Sequence, residues 1–146
     1  MELDNWVRCG CGRTHWGRHG AAGLLVRAPG PCVLLQHRAV WSHNGGTWGV
    51  PGGALAAGET AEQGALRETV EETGMDVSQV TVVGSHLDDH GDWSYTTLLA
   101  TAPERLAVQP ERESLELRWV DVDAVTQLPL HPGFAASWAL LSARVG

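Results

Sequence analysis

Three glutamates crowd the back half of one short predicted helix, and few folds tolerate that without a purpose. Residues 53–75 read Gly-Ala-Leu-Ala-Ala-Gly-Glu-Thr-Ala-Glu-Gln-Gly-Ala-Leu-Arg-Glu-Thr-Val-Glu-Glu-Thr-Gly-Met, with Glu68, Glu71 and Glu72 close together. At about 3.6 residues per turn, Glu68 lies one turn from both Glu71 and Glu72. Like charges at that spacing cost roughly 0.2–0.5 kcal/mol per pair, and carboxylates near a helix C-terminus also oppose the macrodipole. A helix built only for stability avoids this. The repulsion calls for a cation, and a hard divalent metal with oxygen ligands suits carboxylates. The competing reading is an ordinary amphipathic helix with a charged, solvated face.

The same segment marks its own boundaries. Thr60 with Gln63 three residues on resembles a capping box, so the helix is expected over 61–73. Gly74 stands where a left-handed cap belongs. Leu66 and Val70 are one turn apart and are expected to face the core. Gly64 costs about 1 kcal/mol against alanine inside a helix, which close packing on a sheet would justify. Arg67 lies four residues before Glu71, so its guanidinium can fix Glu71 or Glu72 through charge-assisted bonds. Glu68 and Glu72 then share a face and can ligate Mg²⁺, which takes few protein carboxylates alongside substrate phosphates.

The stretch resembles the Nudix box: glycine, five residues, Glu, seven residues, then Arg-Glu-U-x-Glu-Glu-x-Gly-U with U apolar. Gly53, Glu59, Arg67, Glu68, Glu71, Glu72 and Gly74 fall in register, and Met75 fills the last apolar slot. Thr69 is the one departure, at the first apolar slot. The agreement is far more specific than a lone glycine motif. Trp48-Gly49-Val50-Pro51-Gly52-Gly53 looks like the strand and turn that enter the box in MutT-type members. Leu34–Arg38 and the segment 128–138 are similar to the actinobacterial branch of MutT-like 8-oxo-dGTP diphosphatases.

That resemblance implies a Nudix α/β/α sandwich and metal-assisted attack of water on a phosphorus of a nucleoside diphosphate linked to a further group. It implies catalytic roles for Glu68, Glu71 and Arg67. Glu68, Glu71 and Glu72 become the metal ligands, with the carbonyl of Gly52 as a further one. Mg²⁺ is the expected ion, with Mn²⁺ as a substitute. A later loop should add an acidic residue, for which Glu113 is the first choice and Glu116 the second. Glu59 is part of the motif with a role in loop structure. Substrate contacts are expected from Arg38, from the backbone at Gly53, and from His131 or Phe134 near the last helix. The MutT prototype reads the purine with an Asn in that last neighbourhood, and this chain has none there.

Elsewhere the pattern is that of one α/β domain. Residues 20–27 and 32–38 read as strands, 48–50 as a short strand, and 51–53 as a tight turn where backbone can approach a ligand. Residues 79–87 and 93–101 form a strand pair. Leu115, Leu117 and Trp119 alternate on one face of a strand over 115–121. A helical turn follows over 121–127, and a last helix starts near Pro132 with Phe134, Trp138 and Leu141 as its apolar stripe. Strands and helices in this order argue a mixed β-sheet between helices.

Composition closes off other classes. The 146 residues carry a formal charge of −7 and are 43% hydrophobic. Without a basic cluster, duplex nucleic acid and membrane surfaces are poor partners. No apolar run reaches the roughly 18 residues of a membrane span. The first residues lack the features of a signal peptide, so cytoplasmic residence is the default expectation. The sequence does not discriminate a monomer from a homodimer.

Residues 1–19 are read as an N-terminal extension ahead of a Nudix domain at 20–146. Cys9, Cys11, His15 and His19 stand close together there, and thiolates with imidazoles can bind Zn²⁺. One residue between the cysteines strains tetrahedral chelation, so a glycine-rich hairpin with reduced thiols is the alternative. Three cysteines make a disulfide framework a poor reading. A cysteine-rich element before the box is also similar to NADH pyrophosphatases, whose Ser-Gln-Pro-Trp-Pro-Phe-Pro tract is absent here.

The function expected is a Mg²⁺-dependent pyrophosphohydrolase converting a nucleoside triphosphate of the 8-oxo-dGTP or dGTP kind to monophosphate and pyrophosphate. The alternatives are hydrolysis of ADP-ribose, NADH or dinucleoside polyphosphates, and a non-catalytic nucleotide-binding Nudix-like regulator. Trp41 and Trp93, near loops, are candidates for base stacking.

Overall fold

The computed structural model describes residues 6–8, 14–16, 19–39, 45–112 and 114–145, the first two segments by their backbone. Strands β1 (Trp6–Arg8) and β2 (Thr14–Trp16) pair antiparallel as a separate ribbon. The main body is a seven-stranded mixed sheet. Its strands are β3 (Ala21–Ala28), β4 (Cys32–Arg38), β5 (Trp48–Gly49), β6 (Gly52–Ala54), β7 (Thr81–Asp89), β8 (Ser94–Thr101) and β9 (Ser114–Asp121). The spatial order is β5-β4-β3-β8-β7, with β6 paired to β3 and β9 to β4. Among the described strands, β3 and β8 are the one pair that runs parallel. Helix α1 (Ala61–Thr73) follows β6, and α2 (Pro132–Val145) ends the described chain. Short 3₁₀ turns occupy Val77–Gln79 and Val122–Gln127.

Strand β3 is the centre of the molecule. Its run Ala-Ala-Gly-Leu-Leu-Val is buried throughout, as a strand covered on both faces must be. On one face, Leu25, Val33, Leu35, Leu99 and Val120 pack against Phe134, Trp138, Leu141 and Val145 of α2. On the other, Leu24, Val26, Leu34, Leu98 and Ala100 meet Ala65, Leu66 and Met75 of the α1 region. The mixed sheet between two helices is therefore the architecture expected from the pattern. Among the described residues, no helix is long and apolar enough to cross a membrane.

Helix α1 begins and ends where its capping residues dictate. Thr60 accepts from the Gln63 amide at 3.1 Å, and the Gln63 side chain accepts from the Thr60 amide at 3.0 Å. Gly74 caps the end at φ 66° and donates to Val70 O. The buried face differs from the expected one. It runs through Gly64, Ala65, Thr69, Glu72 and Thr73, whereas Val70 lies 44% exposed. Thr69 and Thr73 fit because each hydroxyl donates one turn back, to Ala65 O and Thr69 O. A Cβ on Gly64 would press on the Leu55 and Glu59 side chains of the loop before the helix, so the close packing there is against that loop rather than the sheet.

Strand β9 and the segment 51–53 also differ from expectation. Leu115 is 43% exposed, because the β4–β9 register shifts between His37 and Arg38 and leaves Leu115 opposite no partner. Leu117 and Trp119, beyond the shift, pack on the α1 side. The segment expected as a turn at 51–53 contributes two residues to β6, which pairs with β3 through Gly52↔Gly23 and Gly53↔Ala22. Glycines make that pairing possible: a Cβ on Gly52 would lie 2.6 Å from Gly23 Cα and 2.8 Å from the Tyr95 hydroxyl.

Candidate active site

The tight β3–β6 pairing brings the backbone of Gly52 and Gly53 against the inner side of α1. Glu72 is 8% exposed and faces this seam. Its Oε1 accepts from Gln36 Nε2 at 2.8 Å and from the Gly52 amide at 3.3 Å. Glu68 lies one turn back, with its carboxyl carbon 2.7 Å from where a Cβ on Gly53 would sit. Glycine at 53 thus lets the Glu68 carboxyl lie directly beside the strand, where a Cβ would displace it. Burial, followed by the neighbouring Glu68 carboxyl, pushes the Glu72 carboxyl up to about 8. The metal-free Glu72 carboxyl therefore resists ionisation, and two carboxyl groups share one small space.

Arg67 supports this pair from outside. Its Nε and Nη2 donate to the two oxygens of Glu59 at 2.8 and 2.9 Å, and Nη2 reaches Ala54 O at 3.3 Å. Its Nη1 donates to Glu68 at 2.7 Å and to Glu71 at 3.3 Å. Spacing on the helix allows Arg67 to hold Glu71 or Glu72. In the structure it holds Glu71 and also Glu59 and Glu68, while Glu72 belongs to Gln36 and Gly52. Glu59 also accepts from the Ala56 amide at 2.9 Å, and the Arg67 bond lowers its carboxyl to about 2. Arg67 is therefore a clamp between the loop and two glutamates, fixed in the charged form.

The strand-side wall supplies residues that motif reading did not single out. Gln36, 1% exposed on β4, also donates to Ser114 Oγ at 2.7 Å. Ser114 Oγ and the Glu111 amide both bond Glu72 O. A polar residue inside the apolar run Cys-Val-Leu-Leu-Gln was the available signal for Gln36. Arg112 also lies at this margin, with Nη1 2.9 Å from Glu71 Oε1. Tyr95 on β8 places its hydroxyl between Gly23 and Gly52, where Glu72, Glu68 and Arg38 all act on it electrostatically. Burial pushes the phenol well above its ordinary range, so it remains a hydrogen-bond donor.

The other candidates are placed as follows. Arg38 ends β4, its backbone paired with Thr47 and Gly46. His131 Nδ1 accepts from the Gly133 amide at 3.0 Å, and its own amide donates to Trp48 O at 2.7 Å, so it organises the start of α2. Phe134 is buried, its ring 5.5 Å from that of Trp138. Glu116 is exposed and pairs with Arg118 at 3.0 Å. His19 is exposed beside Gly20. Glu113, Cys9, Cys11 and Trp41 lie outside the described residues, and His15 is described by its backbone alone.

Among the described residues, no group of three or more His, Cys, Asp or Glu side chains is arranged as a ready metal cage. The reason is visible at the box glutamates: Glu68 and Glu71 are turned onto arginines, and Glu72 onto Gln36. Their chemistry nonetheless fits a hard divalent ion. A close carboxyl pair, one member deeply buried, gains most from a doubly charged partner with oxygen preference.

Comparisons with known proteins agree with this geometry. The family model described as NUDIX domain matches residues 17–140. The chain is 54% identical to "Putative 8-oxo-dGTP diphosphatase 3" of Mycobacterium tuberculosis, an alignment covering 94% of this chain and 68% of that protein. It is 44% identical to a nucleoside triphosphate pyrophosphatase/Nudix hydrolase fusion protein of Bifidobacterium longum, over 97% of this chain and 31% of that one. The crystal structure of RenU, a Nudix hydrolase from M. smegmatis, superposes with a TM-score of 0.89 at 52% identity, covering 97% of this chain and 94% of that one. Sequence pattern, sheet topology and these similarities converge: the chain belongs to the Nudix hydrolase family.

Proposed function

We propose that this Nudix hydrolase cleaves a nucleoside triphosphate of the 8-oxo-dGTP or dGTP type to monophosphate and pyrophosphate, with Mg²⁺ as cofactor and Mn²⁺ as a substitute. The observation that carries the reading is the Glu68–Glu72 carboxyl pair beside the Gly52 backbone, backed by Arg67 and Gln36. Glu68, Glu71 and Glu72, with the Gly52 carbonyl, are the groups that would hold the ion. When bound, the ion would polarise phosphoryl oxygens and lower the pKa of a coordinated water.

The chain's own residues set the rest. Gln36 and the Gly52 amide fix the Glu72 carboxylate from one side, so its remaining oxygen faces Glu68. Arg67 keeps Glu68 from rotating into solvent, and Glu68 is positioned as the base that accepts a proton from attacking water. Glu71 stands at the outer edge between two guanidiniums. The Tyr95 hydroxyl supplies a donor on the strand side of the same seam, and Arg38, at the end of β4, is the candidate for a substrate phosphate. The name of the 54% identical mycobacterial relative favours an oxidised purine nucleotide as substrate.

A panel of dGTP, 8-oxo-dGTP, ADP-ribose, NADH and diadenosine tetraphosphate, assayed with Mg²⁺ and with EDTA, tests this. The expected outcome is fastest turnover of 8-oxo-dGTP or dGTP, abolished by EDTA. Faster turnover of ADP-ribose or a dinucleotide would reject the substrate assignment. Tight nucleotide binding with no hydrolysis of any compound would favour a regulator.

A further inference from the structure

Two guanidiniums approach the Glu71 carboxylate, and they are held very differently. Arg67 is tied by Glu59, Glu68 and Ala54 O as well as by Glu71, so it has no freedom to leave. Arg112 has Glu71 at 2.9 Å as its ion-pair partner, and its side chain is 60% exposed. A single ion pair whose arginine is open to solvent contributes little and exchanges readily, although Glu71 is itself half-buried.

The backbone beneath Arg112 is not loose. The Gln109 amide donates to Thr73 O at 2.9 Å and the Glu111 amide to Glu72 O at 3.0 Å, while the Ser114 amide returns to Glu111 O at 3.0 Å. These bonds dock the turn onto the last carbonyls of α1. Arg112 sits in that turn at φ 52°, the one non-glycine residue with positive φ among those described. A left-handed conformation is unfavourable for any residue with a Cβ and persists where surrounding contacts impose it. A fixed turn therefore carries a long, weakly held cation to the outermost ligand of the carboxylate cluster.

We propose that Arg112 is an exchangeable counter-ion for Glu71 that becomes a phosphate-binding residue of the loaded enzyme. Before loading, it neutralises Glu71 and lowers its repulsion with Glu68, one turn back on the same helix. Once the Glu71 carboxylate is taken up by a divalent ion, Arg112 would be released. Its planar set of N–H donors then suits a non-bridging phosphate oxygen of the substrate. This rests on the reading that the box glutamates hold a divalent ion, but the release step is observable without turnover.

All ten cationic side chains of the chain are arginines, so ¹⁵N-arginine spectra of the full chain report every one, and the Arg112→Gly spectrum assigns the signal of interest. Glycine suits the positive φ, so this variant keeps the turn. Metal-free protein should show a displacement of the Arg112 guanidinium signal by the Glu71 carboxylate. Saturating Mg²⁺ alone should abolish it, and Mg²⁺ with a non-hydrolysable dGTP analogue should restore it. Arg112→Gly should bind Mg²⁺ roughly threefold to tenfold more tightly, because a competing cation is gone, and should raise KM for dGTP about tenfold with kcat within about threefold. An Arg112 signal unchanged by Mg²⁺, or unchanged Mg²⁺ affinity or KM in the variant, overturns the proposal. Loss of all hydrolysis in the wild type would reject the functional reading instead, leaving the Mg²⁺ titration of Arg112 as the deciding result.

Discussion

Gln36 Nε2 donates to Glu72 Oε1 at 2.8 Å, joining the middle of a buried strand to the most buried acidic group of α1. The two residues have no sequence relationship, yet each makes the other tolerable. An amide inside an apolar strand needs partners, and a buried carboxyl needs donors.

Replacing Gln36 by Leu tests that dependence. The side chain keeps its approximate volume but leaves Glu72 and Ser114 without their donor. Stability should fall by about 1–3 kcal/mol, measured by urea denaturation, since a buried acceptor loses its partner. The Mg²⁺ concentration for half-maximal activity should rise several-fold. Unchanged Mg²⁺ dependence in a folded Gln36→Leu variant would show that Gln36 does not position Glu72.

Glu72 gives the metal-free protein a pH dependence of definite sign. Its folded-state value, raised to about 8, lies above the ordinary carboxylate value of 4.5. The stability it allows is complete below pH 4.5 and is lost as pH rises through 8, because the folded state resists ionisation. Glu72→Gln should therefore be more stable than wild type at pH 8 in EDTA, by about 2 kcal/mol, with the gap closing near pH 4.5. Adding Mg²⁺ should stabilise the wild type and not the variant. Thermal melts at several pH values, with and without Mg²⁺, read this directly.

Glu59 behaves in the opposite sense. Its carboxyl is lowered to about 2 by Arg67, so its contribution is present above pH 4.5 and disappears as pH falls through 2. Arg67 is partly exposed, so screening holds the effect to about 1 kcal/mol. Glu59→Gln should be less stable than wild type at pH 7 and equal to it near pH 2. Because Arg67 then loses its anchor, kcat should also fall, by about tenfold. A variant with full activity would show that Glu68 does not need the Arg67 clamp.

The β3–β6 seam should reject a methyl group. In Gly52→Ala the new Cβ would lie 2.6 Å from Gly23 Cα and 2.8 Å from the Tyr95 hydroxyl. Overpacking of this kind costs about 1–3 kcal/mol. Tyr95→Phe should rescue only part of the loss, because the Gly23 backbone stays in the way. Complete rescue in the double variant would place the whole conflict on the tyrosine.

Helix α1 was legible to the residue because its signals are local. Thr60, Gln63 and Gly74 act on backbone groups within four positions, and the range 61–73 follows from them. The acidic triple was legible for the same reason, since its anomaly is repulsion within one helix. Val70 and Leu115 were misread because their exposure depends on what lies opposite. A one-residue register shift in β4–β9 decides one, and the position of the helix on the sheet decides the other.

The partners of the glutamates were legible only in part. Arg67 with Glu71 follows from spacing on a single helix, whereas Gln36 with Glu72 and Arg112 with Glu71 join elements far apart in the chain. The chain alone determined the reaction class, the capped acidic helix and the sheet between helices, all of which rest on short-range pattern. Tertiary structure decided which glutamate is buried, which arginine is clamped and which is exposed. Those outcomes depend on desolvation and on distances across the seam, and neither is written in the spacing of residues along one element.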